Sequence, residues 1–158
     1  MSKVYISAPY TDKSSFEPDK PYGKIRDRDY MQFLNDLSAI VRDFGHTVVL
    51  PHYMTYEWGN SAIKPEIMMR RAFEVLSSSD ILIAFPEKSK GVNVLIGWAS
   101  MQKKKIIILV PESERTSVVH EGMNALTETR IIKFKDWKDL DTKLRSTLEE
   151  IAKESNTS

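Results

Sequence analysis

Two short apolar runs in the second half of the chain constrain its fold most strongly. They are residues 81–85 (ILIAF) and residues 106–110 (IIILV). Each run is too short for an ordinary helix, is rich in β-branched residues and is bounded by polar residues or proline, which is typical of strands buried on both faces of a parallel sheet. A helix-length segment, residues 91–102, lies between them. The order strand, loop, helix, strand predicts a right-handed βαβ unit.

Further strands are predicted on both sides of this unit, at residues 4–8, 46–50 and 130–134. The last is short and mixed, so we expect it at an edge. Helices are predicted from apolar residues at helical spacing, over residues 29–44 (with Asp29 as the cap), 65–78, 114–126 and 136–153. The alternation predicts an α/β fold, a doubly wound five-stranded parallel sheet of flavodoxin-like or Rossmann-like type in a single domain, with strand order 2-1-3-4-5. The domain would span residues 1–154, and residues 155–158 would form a polar tail.

Residues 9–28 are predicted to form a long polar loop without periodicity, containing Pro18, Pro21 and Gly23. Loops of this length are uncommon in compact domains and tend to be functional. In an open α/β sheet, ligands bind outside the carboxyl ends of the strands. We therefore expect the site to gather this loop, the loop at residues 86–93 and the loop at residues 111–117.

Composition limits the classes of partner. The 158 residues include 23 basic and 22 acidic side chains, for a formal net charge of +1, which provides no general attraction to nucleic acid or to a membrane surface. No signal peptide precedes the first strand and no apolar run is long enough to span a bilayer, so we expect a cytoplasmic protein. The chain has no cysteine, and its three histidines lack metal-ligand spacing, so no metal and no cofactor are expected.

The junction after the third predicted strand has the chemistry of an anion site. Ser89 and the backbone N–H groups of Gly91, Val92 and Asn93 stand at a predicted helix N-terminus, where the helix dipole and unpaired amides favour negative charge. Neighbouring lysines, Lys88 and Lys90, add positive charge. An ordinary polar turn capped by serine explains the same residues equally well.

Other polar residues have two readings each. Ser113, Thr116 and Ser117 could donate hydroxyls to the same anion or simply cap the next helix. Arg26 and Arg28 could clamp a phosphate, because guanidinium groups suit phosphate geometry, or they could be solvated surface charges.

Aromatic residues cluster near the ends of the first two strands and could line a pocket for a planar base. They are Tyr5, Tyr10, Tyr53, Tyr56 and Trp58. Trp58 is the better stacking candidate, although an interface role fits it equally well, and Tyr5 alternates with core residues as a packing residue would. His52 follows the second strand and could face the site or lie in the core.

Carboxylates that could act as acid or base are few. Asp80 lies at the amino end of the third strand, away from the ligand edge, and is expected to have a structural role. Glu87 lies in the loop at the ligand edge and is the candidate catalytic residue. No two acids are held by spacing on one helix face within the site.

Three stretches in this order resemble the nucleoside 2-deoxyribosyltransferase superfamily, which includes the nucleoside 5′-monophosphate N-glycosidases. They are VYISAPY at residues 4–10, FGHTVVLP at residues 44–51, and SDILIA at residues 79–84, the last followed by Ser89-x-Gly91 and Gly97-Trp98-Ala99. The resemblance covers about residues 3–134. It implies a small-molecule nucleoside or nucleotide as ligand, a homo-oligomer, phosphate binding at Ser89 and Ser117, and a substrate-binding set made of Ser7, Pro9, Tyr10, Ser89, Gly91, Val92, Asn93 and Ser117.

Two positions depart from the family pattern. Leu95 stands where the resemblance places the glutamate nucleophile, and Ala72 stands where it places an aspartate. Neither side chain can act as acid, base or nucleophile.

Three hypotheses follow. The protein binds a nucleotide without turning it over; or it is an active N-glycosidase or deoxyribosyltransferase that uses another carboxylate (Glu87, Glu57 or Asp12); or it is a non-catalytic oligomeric interaction protein. Residues that would suit an oligomer interface are Trp58, Met68, Met69, Met101 and Met123.

Overall fold

The computed structural model describes residues 1–17, 20–61 and 63–158, so Pro18 of the long loop lies outside the described residues. The strands are β1 (Lys3–Ser7), β2 (Ser14–Glu17), β3 (Lys20–Ile25), β4 (Thr47–Val49), β5 (Ile81–Ala84), β6 (Lys105–Pro111) and β7 (Thr129–Phe134). The α-helices are α1 (Arg28–Asp43), α2 (Pro51–Met54), α3 (Pro65–Ser77), α4 (Lys90–Met101), α5 (Val118–Gly122) and α6 (Trp137–Thr157). Short 3-10 helices cover Thr11–Lys13, Glu57–Gly59 and Met123–Ala125.

The main sheet has five strands in the order β4-β1-β5-β6-β7, and every neighbouring pair is parallel. This confirms the predicted α/β fold, the predicted order and the edge position of the last strand. The order reverses between β1 and β5, the place where open α/β sheets bind ligands.

Side chains of the central strands alternate between two cores, which explains why their sequences are apolar throughout. Ile81 and Ile83 pack on the side of α1 and α6, whereas Leu82 and Ala84 pack on the side of α3 and α4. Burial of each large aliphatic side chain contributes roughly 1.5–3 kcal/mol. A strand covered on both faces has no exposed position that would favour a polar residue.

The prediction of an irregular loop over residues 9–28 is wrong. The segment contains the 3-10 helix at Thr11–Lys13 and an antiparallel hairpin of β2 and β3. Gly23 in β3 has φ +68° and lies so close to the partner strand that an added Cβ would be 2.3 Å from the Ser15 carbonyl oxygen. The two strands pair closely at a glycine, and their sequence lacks the alternation of apolar and polar residues by which a hairpin is predicted.

Helix boundaries also differ from those predicted. Asp27 rather than Asp29 caps α1, because the Asp27 side chain accepts a hydrogen bond from the Tyr30 amide at 3.0 Å. The expected helix over residues 114–126 is reduced to α5 and the 3-10 turn that follows it, since Ser117 caps the helix late.

At the carboxyl terminus, α6 continues to Thr157, so most of the expected polar tail is helical. Hydroxyls there bond to carbonyls one turn back, as Ser155 does to Ile151. Among the residues described, no helix combines the length and apolar character needed to cross a membrane.

Candidate functional site

A cavity of about 510 Å³ opens where the chain leaves β1, β4 and β5. Ser7 and Ala8 line it at the end of β1, Pro51 and His52 line it after β4, and residues 88–92 line it after β5. Three neighbouring parallel strands therefore deliver their carboxyl ends to one space. The cavity lies at the point of the sheet where the strand order reverses.

The anion turn predicted around Ser89 forms one wall of this cavity. The Ser89 hydroxyl caps α4 by accepting a hydrogen bond from the Val92 amide at 3.3 Å. Lys88, Lys90 and Gly91 line the same wall. A Cβ added at Gly91 would lie 3.9 Å from the Ser89 oxygen, an ordinary contact. The first-turn amides and both ammonium groups give this wall a positive potential.

Asn93 is turned away from the cavity and supports the anion turn from behind. Its Nδ2 donates to the Ser89 carbonyl at 2.9 Å, and its Oδ1 lies 2.8 Å from Nε2 of His120. Because the carbonyl only accepts, the amide orientation is determined, and His120 must donate through Nε2. Burial lowers the pKa of His120, which favours its neutral form.

Loop residues after β6 do not line the cavity. Ser117 caps α5 by accepting from the Val119 amide at 3.3 Å, and neither Ser113 nor Thr116 reaches the wall. The predicted loop at residues 111–117 is thus outside the cavity, contrary to expectation.

An aromatic wall faces the cavity from the side of β1 and β4. Tyr5, Tyr10 and Tyr56 line it, and the Tyr10 and Tyr56 ring centroids are 4.7 Å apart. The Tyr10 hydroxyl donates to the Gly23 carbonyl at 3.3 Å, which ties this wall to the hairpin, and burial raises the pKa of Tyr10 to about 12. Of the other aromatic candidates, Tyr53 is exposed, and Trp58 packs against His52 outside the wall.

His52 lines the cavity although only 3% of its surface is exposed. Its Nε2 lies 3.0 Å from the Pro9 carbonyl oxygen, which can only accept, so Nε2 carries the proton. Nδ1 is buried and has no partner among the described residues. Burial lowers the pKa of His52 to about 4, so at neutral pH the ring is uncharged and Nδ1 is a free acceptor.

Solved structures with this architecture were found by comparison. The Clostridium botulinum CMP N-glycosidase BcmB is 22% identical, with a TM-score of 0.67 over 90% of this chain and 96% of that one. BlsM is 19% identical, with a TM-score of 0.69 over 96% and 94%. The 2-deoxyribosyltransferase of Bacillus psychrosaccharolyticus is 17% identical, with a TM-score of 0.57 over 93% and 96%. This chain has the nucleoside 2-deoxyribosyltransferase fold. No protein-family model and no curated protein matches the sequence.

Within the nucleoside 2-deoxyribosyltransferase fold, both departures from the family pattern face the cavity. Leu95 of α4 and Ala72 of α3 line its wall. The positions that the resemblance assigns to two acids are therefore cavity positions here, occupied by aliphatic side chains. Asp12 is the one acidic side chain that lines the cavity within the described ranges.

Two other candidate residues do not line the cavity. Glu87 forms an ion pair with Lys13 at 3.2 Å and has φ +40°, outside the lining. Pro9 is also outside the lining, and its carbonyl receives hydrogen bonds from Tyr30 and His52. Over the described part of the chain, no three His, Cys, Asp or Glu side chains lie close enough together to hold a metal ion.

Sequence reasoning did not assign Met68, Met69 and Val94 to the site, yet all three line the cavity. A signal existed for Met68, because it stands four residues before Ala72 on the same face of α3. From the sequence, Met68 is instead expected at an oligomer interface. Periodicity separates buried from exposed faces but does not separate a core from a cavity wall.

Proposed function

We propose that the protein binds a nucleoside 5′-monophosphate or a similar sugar phosphate, with the phosphate at the Ser89–Gly91 turn. The observation that carries this proposal is the opening of the α4 N-terminus, with Ser89, Lys88 and Lys90, directly into the cavity. A dianionic phosphate there would accept hydrogen bonds from first-turn amides and the Ser89 hydroxyl. A solved structure with the same fold is described as a CMP N-glycosidase, which is consistent with a nucleotide ligand.

The remainder of the cavity suits the nucleoside. Tyr10 and Tyr56 offer ring faces to a planar base, and Ser7 offers a polar group at the end of β1. Stacking of a base on an aromatic ring contributes about 1–3 kcal/mol. Phosphate at one wall and base at the other would use both kinds of surface that the cavity presents.

Family-type catalysis is not part of this proposal, because Leu95 and Ala72 supply no acid to the cavity. Loss of a nucleophile commonly reduces the rate by several powers of ten, with only positioning and electrostatics remaining. Binding without turnover is the function that these side chains support best.

Calorimetric titration with AMP and adenosine tests the phosphate assignment. Ser89→Ala should weaken AMP binding by about tenfold and leave adenosine binding nearly unchanged, since a hydrogen bond to a charged group is worth about 1.5–3 kcal/mol. Ser117→Ala is the matched control, because Ser117 also caps a helix but lies outside the cavity. Equal AMP affinity of Ser89→Ala and wild type would remove the phosphate from this turn.

A second candidate function, N-glycosidase activity, is favoured by Asp12, which lines the cavity. In such a reaction Asp12 would take a proton from water as the water oxygen bonds to the anomeric carbon. The bond from that carbon to the base would break with its electron pair passing to the base, which would then take up a proton from solvent water. Incubation with nucleotides and detection of free base tests it. Base release that disappears in Asp12→Asn would replace the binding proposal with this one.

We also propose that the protein forms a homo-oligomer through α3 and α4. These helices expose large apolar side chains, namely Ile67, Met69, Phe73, Val94 and Met101. Met69 and Val94 also line the cavity, so a second copy on this face would cover its rim.

A purely scaffolding role is the third functional hypothesis. The cytoplasmic location stays a prediction.

A further inference from the structure

The imidazole of His52 lines the cavity, is buried, and has one ring nitrogen, Nδ1, without a partner among the described residues. Within the described part of the chain, Nδ1 is the buried side-chain nitrogen or oxygen atom that lacks a partner. A buried acceptor without a donor destabilises the folded protein by about 1–3 kcal/mol. Such a group is expected where a ligand supplies the missing donor.

The tautomer of His52 determines that a ligand group bound at Nδ1 must be a hydrogen-bond donor. Nε2 donates to the Pro9 carbonyl at 3.0 Å, so the ring is anchored to the segment after β1 and Nδ1 presents a lone pair. Burial lowers the pKa of this imidazole to about 4, which keeps Nδ1 unprotonated at neutral pH. A ligand atom bound there must therefore donate a hydrogen, and a carbonyl oxygen in the same place would be repelled.

The rings around His52 indicate which part of a nucleotide lies there. The Tyr10 centroid is 5.4 Å from that of His52, and Tyr10 in turn contacts Tyr56. Both tyrosines line the cavity and offer faces to a planar base. Nδ1 is itself buried, so a base that bonds to it has to displace a neighbouring side chain as it binds. Tyr10 is held at its hydroxyl by a hydrogen bond of 3.3 Å.

We propose that His52 selects the base: its Nδ1 accepts a hydrogen bond from an exocyclic amino group, so the cavity prefers amino-bearing bases over their carbonyl counterparts. This inference rests on the proposed nucleotide function and names its ligand class. His52 acts by recognition and takes no part in bond making.

The test is a calorimetric comparison of two nucleotide pairs, CMP with UMP and AMP with IMP, in which an amino group is replaced by a carbonyl at one ring position. Wild type should bind CMP and AMP about tenfold more tightly than UMP and IMP, the value of one satisfied buried acceptor. dCMP is included to examine the sugar: an affinity that depends on the 2′-hydroxyl and not on the amino group would overturn the assignment to the base.

Two substitutions separate the nitrogen atoms of the ring. His52→Gln can still donate to the Pro9 carbonyl but lacks an acceptor at the Nδ1 position, so the tenfold preference should vanish. His52→Asn retains an acceptor near that position and should keep most of the preference. An unchanged preference in His52→Gln, or a wild-type preference for UMP, would overturn the proposal.

A spectroscopic readout on wild type covers the case in which a variant fails to fold. The ¹⁵N resonance of His52 Nδ1 should report an unprotonated nitrogen and should move on addition of CMP but not of UMP. Tight binding of both nucleotides without that difference overturns this inference alone. If none of the nucleotides binds wild type, the proposed function fails and the inference fails with it.

Discussion

Asp12 and Leu95 line the same cavity, the first from the 3-10 helix after β1 and the second from α4. An acid is thus present in the cavity, but not at the position where the family resemblance places the nucleophile. The role of Asp12 distinguishes the two leading functional hypotheses. If Asp12 is only a polar residue of the wall, the protein binds its ligand without turnover; if Asp12 activates water, the protein is a hydrolase.

Leu95→Glu should introduce base release from nucleotides. The substitution places a carboxylate in the cavity wall, at the position where the family resemblance places the nucleophile. We expect a rate of base release at least about tenfold above that of wild type. Because Ala72 still supplies no second acid, we do not expect the rates of the family's enzymes. Leu95→Gln has nearly the same shape without the charge and is the matched control. The measurement is free base by chromatography. Equal rates for the glutamate and glutamine variants would show that this position does not approach the anomeric carbon.

Gly91→Ala and Gly97→Ala form a pair within α4. Both should raise helix stability by about 0.5–1 kcal/mol, because alanine loses less backbone entropy than glycine and neither Cβ meets a clash. Gly91 lines the cavity and Gly97 does not, so only Gly91→Ala should weaken AMP binding. Thermal unfolding and calorimetry measure the two effects. Weakened AMP binding in both variants would indicate a general effect of α4 rather than crowding of the phosphate.

Protonation of His52 should make stability depend on pH. Its pKa is lowered from 6.5 to about 4 in the folded protein, so below pH 6.5 the unfolded chain binds a proton that the folded protein does not. The unfolding free energy should therefore be constant above pH 6.5 and fall as the pH drops from 6.5 to 4, by about 2 kcal/mol at pH 5. Urea unfolding at pH 7 and pH 5 measures the decrease.

His52→Gln is the control for this titration. The pKa values of His46 and His120 are also lowered, mainly by burial, and both histidines remain in the variant. The difference in pH dependence between the two proteins therefore isolates His52. An identical decrease in wild type and His52→Gln would show that His52 does not titrate in this range.

Phe73→Glu should dissociate the proposed oligomer. Phe73 is 46% exposed, and its ring centroid lies 5.2 Å from that of Trp98, so it joins α3 to α4 on the apolar face. A charge buried at an interface without a partner is strongly unfavourable. Phe16→Glu is the control, because Phe16 is exposed on the hairpin, in a different element. Sedimentation velocity would measure the mass, and a monomeric wild type would refute the oligomer.

Local chemistry alone determined the buried strands and the serine-capped turn at Ser89. The apolar runs at residues 81–85 and 106–110 are buried on both faces, and Ser89 caps α4 as its position before a helix predicts. These features depend on neighbours in the chain, on strand burial and on helix capping. The strand order followed from the flavodoxin-like fold that the alternation of strands and helices favours. The placement of Ser89, Gly91 and Val92 in the cavity wall followed because ligands bind at the carboxyl ends of parallel strands.

Tertiary structure alone decided which long-range partners each side chain meets. Asn93 is hydrogen-bonded to His120, and the His52 ring is hydrogen-bonded to the Pro9 carbonyl. Glu87 forms an ion pair with Lys13. The partners in each pair are too far apart in the sequence for a local pattern to predict the contact. The hairpin at β2 and β3 depends on backbone pairing at a glycine and not on side-chain periodicity. Hydrogen bonds and ion pairs between distant segments form only after the sheet has brought the ends of the strands together. The sequence therefore predicted where the cavity lies, whereas tertiary packing determined which side chains line it.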